Sequence, residues 1–293
     1  MKLPPFDYAA PATLDEAIAL LAAGRGTAKA IAGGQSFVPV MAFRLAAPSL
    51  LVDLRKVPGL GRIDIDKQGV RLGAKVRWRD ILDDARLSTA HPLLQAAISH
   101  VAHYQIRNRG TAGGSLAHAD PAAEMPGIAV TCDAQLVVAG TAGRRVIPAA
   151  EFFTGALSTV LGDDELIVEI RLPHWPAQRR WAFEEFALRR GDFALAGVAV
   201  FYDEDAAARA INAHIGIIGA CTQPQRVAQA EAALNGKVVD ATVIQSAARA
   251  LSAAIDPPSD LHASAAYRRS LAGTLLERAL TRASQRPTLK TLP

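Results

Sequence analysis

Two short glycine-rich segments carry the residues best suited to chemistry. Ala32-Gly33-Gly34-Gln35-Ser36 and Thr111-Ala112-Gly113-Gly114-Ser115 each join a glycine pair to hydroxyl side chains. Glycine reaches positive φ without a Cβ penalty and lets a ligand approach the bare backbone. Successive N–H groups in such a turn form a nest for an anion. Ser36 adds a hydroxyl donor, and Lys29 a nearby positive charge. Downstream of the second segment runs His118-Ala119-Asp120-Pro121-Ala122-Ala123-Glu124, with carboxylates at Asp120 and Glu124. Two nests and adjacent carboxylates point to a phosphate-bearing ligand. A dinucleotide would use the whole set, with nests for phosphates and a carboxylate for ribose hydroxyls.

Other constellations carry less. Gly24-Arg25-Gly26 follows a helix instead of a strand and has Lys29 where a Rossmann fingerprint needs glycine. His100 and His103, with His118, Asp120 and Glu124 nearby, lack the spacing of a metal-binding helix and read as a helix-surface pair beside a ligand loop. Asp163-Asp164-Glu165 reads as a solvated turn ahead of a strand. Ser36 and Ser115 have no adjacent base to make them nucleophiles, so they are hydrogen-bond donors. Cys132 and Cys221 are too few for an iron–sulfur cluster or a disulfide framework. No residue is assigned a catalytic or metal-binding role.

The elements that must position these segments are readable in outline. Thr13 and Glu16 form a capping box ahead of Leu14, Ala17, Ile18 and Leu21, and Gly24 ends that helix. A strand over 29–32 runs into Gly33-Gly34, and 50–53 forms another. Hairpins are predicted over 62–75 and over 135–147, helices over 77–86 and 92–103, and a strand over 166–172. The two prolines in 173–180 mark a domain boundary, with Trp175 and Trp181 as packing residues beside it. Beyond it come strands at 183–188, 194–202 and 211–218, then helices near 225–234, 240–254 and 264–284. Strands grouped before helices predict an α+β domain with a three-stranded antiparallel sheet.

Half of the 293 residues are hydrophobic and a fifth are charged, the composition of a globular chain. No apolar run approaches the roughly 18 residues of a membrane span. The first residues lack the apolar core of a signal peptide, so a cytoplasmic protein is expected. The net charge of +4 comes from scattered basic pairs without interleaved aromatics, which argues against nucleic acid as the ligand.

The segment Ala32-Gly33-Gly34-Gln35-Ser36-Phe37-Val38-Pro39-Val40-Met41 closely resembles the flavin-binding subunit of molybdenum hydroxylases, the xanthine dehydrogenase family. Ile106-Arg107-Asn108-Arg109-Gly110-Thr111 and Gly113-Gly114-Ser115-Leu116-Ala117-His118-Ala119-Asp120-Pro121 match its second motif. Arg189-Arg190-Gly191-Asp192-Phe193-Ala194, and Tyr267-Arg268-Arg269 with Arg278-Ala279-Leu280, match features of its C-terminal half. The order is the family's, and the resemblance spans nearly the whole chain.

That resemblance implies a two-part FAD-binding domain of the vanillyl-alcohol-oxidase/PCMH type over residues 1–175, then a smaller α+β domain over 181–290. It puts the FAD pyrophosphate between residues 32–36 and 111–115, Glu124 on a ribose, and Leu161 and Phe193 on the two faces of the isoalloxazine. It implies an electron-transfer subunit without catalytic residues of its own. Its partners would be a small subunit with [2Fe–2S] clusters and a large subunit with the molybdenum cofactor. A self-contained flavoenzyme and a non-catalytic assembly module stand as rivals.

Overall fold

The computed structural model describes residues 2–286. Met1 and residues 287–290, assigned above to the first and second domains, lie outside the described residues. The capping box forms as the sequence predicts: Thr13 Oγ1 accepts from the Glu16 N–H at 3.1 Å, and Glu16 reaches back to the Thr13 N–H at 3.3 Å. The first unit comprises β1 (Asp7–Ala9), α1 (Leu14–Ala23), β2 (Ala28–Ile31), α2 (Phe37–Ala42) and β3 (Leu50–Asp53). Its parallel sheet has the order β1-β3-β2, so β2 is an edge strand whose end is free to turn into the first glycine pair.

The second unit begins with the hairpin β4 (Ile63–Asp66) and β5 (Gly69–Gly73). A helical excursion follows: α3 (Trp78–Asp83), α4 (Leu87–Ala90), α5 (Pro92–Ile98), α6 (Tyr104–Arg107), α7 (Ala112–His118) and α8 (Glu124–Thr131). The chain returns through β6 (Gln135–Gly140), β7 (Gly143–Pro148), α9 (Ala149–Phe152), the small hairpin β8 (Phe153–Gly155) and β9 (Ser158–Thr159), and β10 (Leu166–Pro173). These give an antiparallel sheet of order β4-β5-β10-β6-β7.

Period-two alternation lets this sheet serve two cores. Val137 and Ala139 pack with Ile18, Leu21 and Val52 of the first unit, while Leu136 and Val138 face the helices. In β10 a bulge between Ile167 and Glu169 resets the phase, so Ile167, Ile170 and Leu172 all reach the helical side.

Two predicted helices are shorter than their apolar patterns. The 77–86 segment breaks after Asp83, because Asp84 adopts extended backbone and caps Arg86 with its carboxylate. The 92–103 segment stops at Ile98, so His100 sits in a turn and His103 is the extended residue ahead of α6. The two histidines therefore do not share a helix face.

The C-terminal unit carries β11 (Arg180–Phe186), β12 (Ala196–Glu204), β13 (Ala210–Ile218) and β14 (Gln225–Arg226), in that spatial order and antiparallel. Its sheet has four strands where three were expected; the extra one is a two-residue edge pairing ahead of α10 (Ala228–Leu234). With α11 (Ala241–Ala254) and α12 (Ala265–Gln285) this completes the α+β domain. Val198, Val200, Ile215 and Ile217 face these helices.

The opposite face of that sheet offers Phe183, Phe201 and Ile218, which belong to the same core as Trp78, Leu94 and Ile128. All eight residues of α8 are buried as a result, with the second unit on one side and β12 and β13 on the other. The approach is close: a Cβ on Gly216 would collide with Thr131 Oγ1. The boundary segment is likewise packed, not solvated. Trp175 is buried against His91 and Phe201, and Arg179 lies 4.9 and 4.3 Å from the Trp175 and Phe201 ring centres while bonding Asp203 through two nitrogens. Both cysteines are free and buried, and burial pushes the Cys221 thiol up to about 12 and the Cys132 thiol higher still. Among the described residues no helix is long and apolar enough to cross a membrane.

Candidate functional site

The first glycine segment is a nest. Gly34 has φ of 73°, the left-handed region, and this turns the chain from β2 into α2. Among the described residues, the backbone N–H groups of Gly34, Gln35, Ser36 and Phe37 meet no protein acceptor. Gln35 folds its amide onto the Gly33 carbonyl at 3.2 Å, and the Ser36 hydroxyl makes no capping bond. A fan of unpaired N–H groups beside a free hydroxyl has the donor geometry that suits an anion. These residues are part-buried and lead into α2, whose first N–H groups have no intrahelical partner and are open to a ligand acceptor.

The second segment is not a second nest. Thr111 has extended backbone, accepts from the Gly114 N–H through Oγ1, and opens α7 as its N-cap. The other early N–H groups are also taken: Ala112 donates to Val76 O, Gly113 to Ala74 O (both 2.9 Å) and Ser115 to Thr111 O. Gly113 is needed for packing: a Cβ there would lie 2.5 Å from Ala74 Cβ and 2.8 Å from Ala74 O. What α7 offers a ligand is the Thr111 and Ser115 hydroxyls and the positive end of its dipole.

The structure brings the two segments together. A Cβ on Gly33 would land on the Arg109 carbonyl group and 3.0 Å from Gly110 Cα. Gly110 in turn lies over the Trp78 indole, where a Cβ would be 2.6 Å from Nε1. The nest of the first unit therefore abuts the start of α7 in the second.

The remaining predicted residues scatter around this junction. Lys29 does not reach into the nest as a free charge; its Nζ is 3.8 Å from Asp163 Oδ1, with both side chains about half exposed or more. Asp120 spends one oxygen on the Ala122 N–H, which shapes its own turn. Leu161 is half-buried at the edge of the main core, while Phe193 is exposed on the loop between β11 and β12. That loop touches the second unit where Gly191 meets His103.

Glu124 is buried at the first position of α8. Burial first, then the carboxylates of Glu185 and Asp120, push its carboxyl up to about 8. Glu185, on β11, was not singled out from the sequence; it is far away in the chain and no spacing signals it. Its side chain is 4 % exposed and its Oε2 has no hydrogen-bond partner. Among the described residues no three His, Cys, Asp or Glu side chains converge on a metal position.

A further thread ties the C-terminal unit to the site. Arg268 of α12 is buried and donates to Leu195 O at 2.7 Å and Gly219 O at 3.0 Å, and to Asp260 Oδ2 at 2.6 Å. Gly219 then donates its own N–H to Pro121 O, beside Asp120.

Residues 4–175 match the family described as the FAD binding domain in molybdopterin dehydrogenase, and residues 181–283 match the CO dehydrogenase flavoprotein C-terminal domain. The chain is 41 % identical to the nicotine 6-hydroxylase medium subunit of Paenarthrobacter nicotinovorans over 98 % of its length and all of that protein's. The chain belongs to the FAD-binding medium subunits of the molybdenum hydroxylase family. Its fold superposes on carbon monoxide dehydrogenase from Hydrogenophaga pseudoflava with a TM-score of 0.93 at 37 % identity, covering 97 % of this chain and 98 % of that one. Quinoline 2-oxidoreductase from Pseudomonas putida 86 gives 0.92 at 39 %, covering 97 % and 99 %.

FAD fits the residues present in this medium subunit. A pyrophosphate needs donors, and the N–H groups of residues 34–37 are a donor set of the right kind, with no protein acceptor of their own among the described residues.

Proposed function

We propose that this medium subunit passes electrons from a cluster-bearing partner to an external acceptor, with FAD held at the junction of the nest and α7. The observation that carries the reading is the row of unpaired N–H groups at 34–37, set against the helix start at Thr111. In it, Ala32 to Ser36 wrap the pyrophosphate, and the Thr111 and Ser115 hydroxyls donate from the other side, with Ala112, Gly113 and Gly114 shaping that wall. Glu124, with Asp120 beside it, receives ribose hydroxyls; Leu161 and Phe193 bracket the isoalloxazine. Bound FAD supplies the redox chemistry, and the chain supplies binding, orientation and tuning. The family models support a division into an FAD-binding domain over 1–175 and a smaller domain over 181–290.

The partners in this reading are a small [2Fe–2S] subunit and a large molybdenum-cofactor subunit. Tyr104, Leu188 and Phe193 are exposed on segments that meet at His103 and Gly191, an apolar border on which a cluster subunit can seat. The reading places the subunit in the cytoplasm.

The purified chain is expected to bind about one FAD, released by acid because the nest holds phosphate without a covalent bond. Gly34→Val forces a β-branched residue out of the left-handed region and distorts the nest. Affinity should fall on the order of 100-fold, the upper end of what such backbone strain costs. Equilibrium dialysis reads the affinity, and circular dichroism checks that the fold persists. Unchanged affinity would remove the nest from the flavin site. Co-purification from the native host should recover both partner subunits. A single-subunit preparation that turns over a substrate by itself would overturn the subunit reading.

A further inference from the structure

A second concave site lies on the face of the five-stranded sheet that turns toward the first unit. Val137, Ala139, Leu166 and Val168 pack there with Ile18 and Leu21, but α1 covers only part of that face. Beyond its edge opens a cleft of about 360 Å³, within the size range of small-molecule sites. None of the residues assigned above to the FAD site lines it. One wall is the loop 57–60, which descends onto the sheet at Gly73, where a Cβ would strike the Leu60 carbonyl group. Hydrogen bonds hold that loop in place. The Gly73 N–H donates to Arg62 O at 2.9 Å and the Lys75 N–H to Leu60 O at 2.7 Å. Lys75 Nζ also donates to the carbonyls of Leu54, Arg55 and Val57. The cleft is thus formed before any ligand arrives, which lowers the ordering cost of binding.

Its lining is cationic. Four arginines border it, Arg62 ahead of β4, Arg71 on β5, Arg171 on β10 and Arg144 on β7, against the carboxylates of Asp64 and Glu169. Arg71 and Arg171 stand directly opposite one another on adjacent strands. Like charges in that position destabilise a sheet. Each is offset on one side only: Arg71 gives Nη1 to Asp66 and Arg171 gives Nε to Glu169, both at 2.6 Å. Their other guanidinium nitrogens meet no protein acceptor among the described residues. Arg62 and Arg144, at the two edges of the sheet, pair with no carboxylate among the described residues. Arginines scattered over a solvated face would repel one another little. Two set side by side, with two more bordering the same preformed hollow, call for an anion.

We propose that this cleft binds a small organic anion carrying two or more oxyanion groups on a short carbon skeleton. Arg71 and Arg171 take one group at the centre, and Arg62 and Arg144 reach the others from either side. The guanidinium fork matches carboxylate and phosphate oxygens alike. The skeleton rests on the buried side chains of Val137 and Val168, which supply an apolar floor. Because the loop 57–60 and the sheet form opposite walls, the bound anion ties the first unit to the second. It therefore stabilises the folded chain as its concentration rises. The site stands whether or not the chain binds FAD.

The probes are citrate and glycerol 3-phosphate, one for each oxyanion chemistry, titrated into the full-length chain by isothermal calorimetry. Saturable binding is expected, and the tighter probe names the chemistry. The double variant Arg62→Gln with Arg144→Gln leaves the Arg71–Asp66 and Arg171–Glu169 pairs in place, so the fold should persist. Its affinity should fall about tenfold, a modest share for charge-assisted bonds because these arginines are exposed. Asp64→Asn should act in the opposite direction, about threefold tighter, because that carboxylate faces Arg71 across β4 and β5 and competes with the ligand. Saturable binding with both shifts establishes the site. No saturation by about 10 mM of either probe, beyond the roughly 1 mM scale of weak specific binding, overturns it. Equal affinity in wild type and the arginine variant also overturns it, since the anion would then sit elsewhere, as at the turn after β2. Binding by the isolated chain but not by the complex purified with its partners would make the cleft a subunit interface and overturn the small-molecule reading.

Discussion

Gly113→Val is expected to unfold the chain at a temperature about 5 °C or more below wild type. The reason is packing behind the site, not contact with a ligand. A Cβ at this position would lie within 2.5–2.9 Å of the Ala74 Cβ, carbonyl oxygen and Cα, and Gly113 N–H must also reach that same carbonyl. Neither partner can yield cheaply, since Ala74 continues β5 and α7 is held at both ends. Overpacking of this kind costs up to about 3 kcal/mol, more where backbone is struck. Because the two domains share one core, the loss should appear as a single transition. Gly113→Ala should fall between. Differential scanning calorimetry reads both; a variant with the wild-type midpoint and no flavin would return Gly113 to the ligand-facing wall.

Arg268→Met should cost on the order of 3 kcal/mol, through two carbonyls left without their donor and a broken ion pair. The guanidinium satisfies three acceptors at once in a fixed fork, Leu195 O, Gly219 O and Asp260 Oδ2, so Arg268→Lys should rescue little. If the loop before α8 receives the FAD ribose, as proposed, FAD affinity should fall too, because the Gly219 N–H holds the Pro121 carbonyl of that loop. The pH response has a defined sign. The Arg268 guanidinium, with help from two backbone N–H groups, holds the Asp260 carboxyl down to about 2. Its contribution is present above about pH 4 and is lost as pH falls toward about 2, a window the methionine variant should show in reduced form because the Ala263 and His262 N–H groups remain. Thermal midpoints across that range decide it, and matching curves for both forms would remove the ion pair from the account.

The turn at Gly33-Gly34 is legible because its signal is local: a strand ends, and two glycines follow. The second segment misled because its glycines answer to acceptors that sequence proximity does not reveal, Val76 O and Ala74 O, while Thr111 in front of a short run is as good a helix cap as a turn. Lys29 was assigned to phosphate on nearness to Gly33, yet Asp163 claims it from the far side of the chain. Glu185 is invisible for the same reason: its surroundings come from β11 packing on α5 and the His100 turn, far away in the chain. The order of strands and helices survived because apolar periodicity records which face is buried. The ends of α3 and α5 did not, since a capping carboxylate at Asp84 or a turn after Ile98 leaves the apolar pattern unbroken.

The core that runs through α8 also sets the order of events during synthesis. The ribosome releases the N-terminal residues first, and at that stage α8 has every one of its eight residues committed to burial but neighbours on one side only. Phe183, Phe201 and Ile218 arrive later to close the other side. Until then Glu124 lacks Glu185, and Pro121 lacks Gly219. A nascent chain paused near residue 175 would thus display the turn at Gly33-Gly34 together with an open apolar flank for chaperones to cover. With FAD seated as proposed, cofactor loading would be a late step, completed when the last third of the protein folds over the first two.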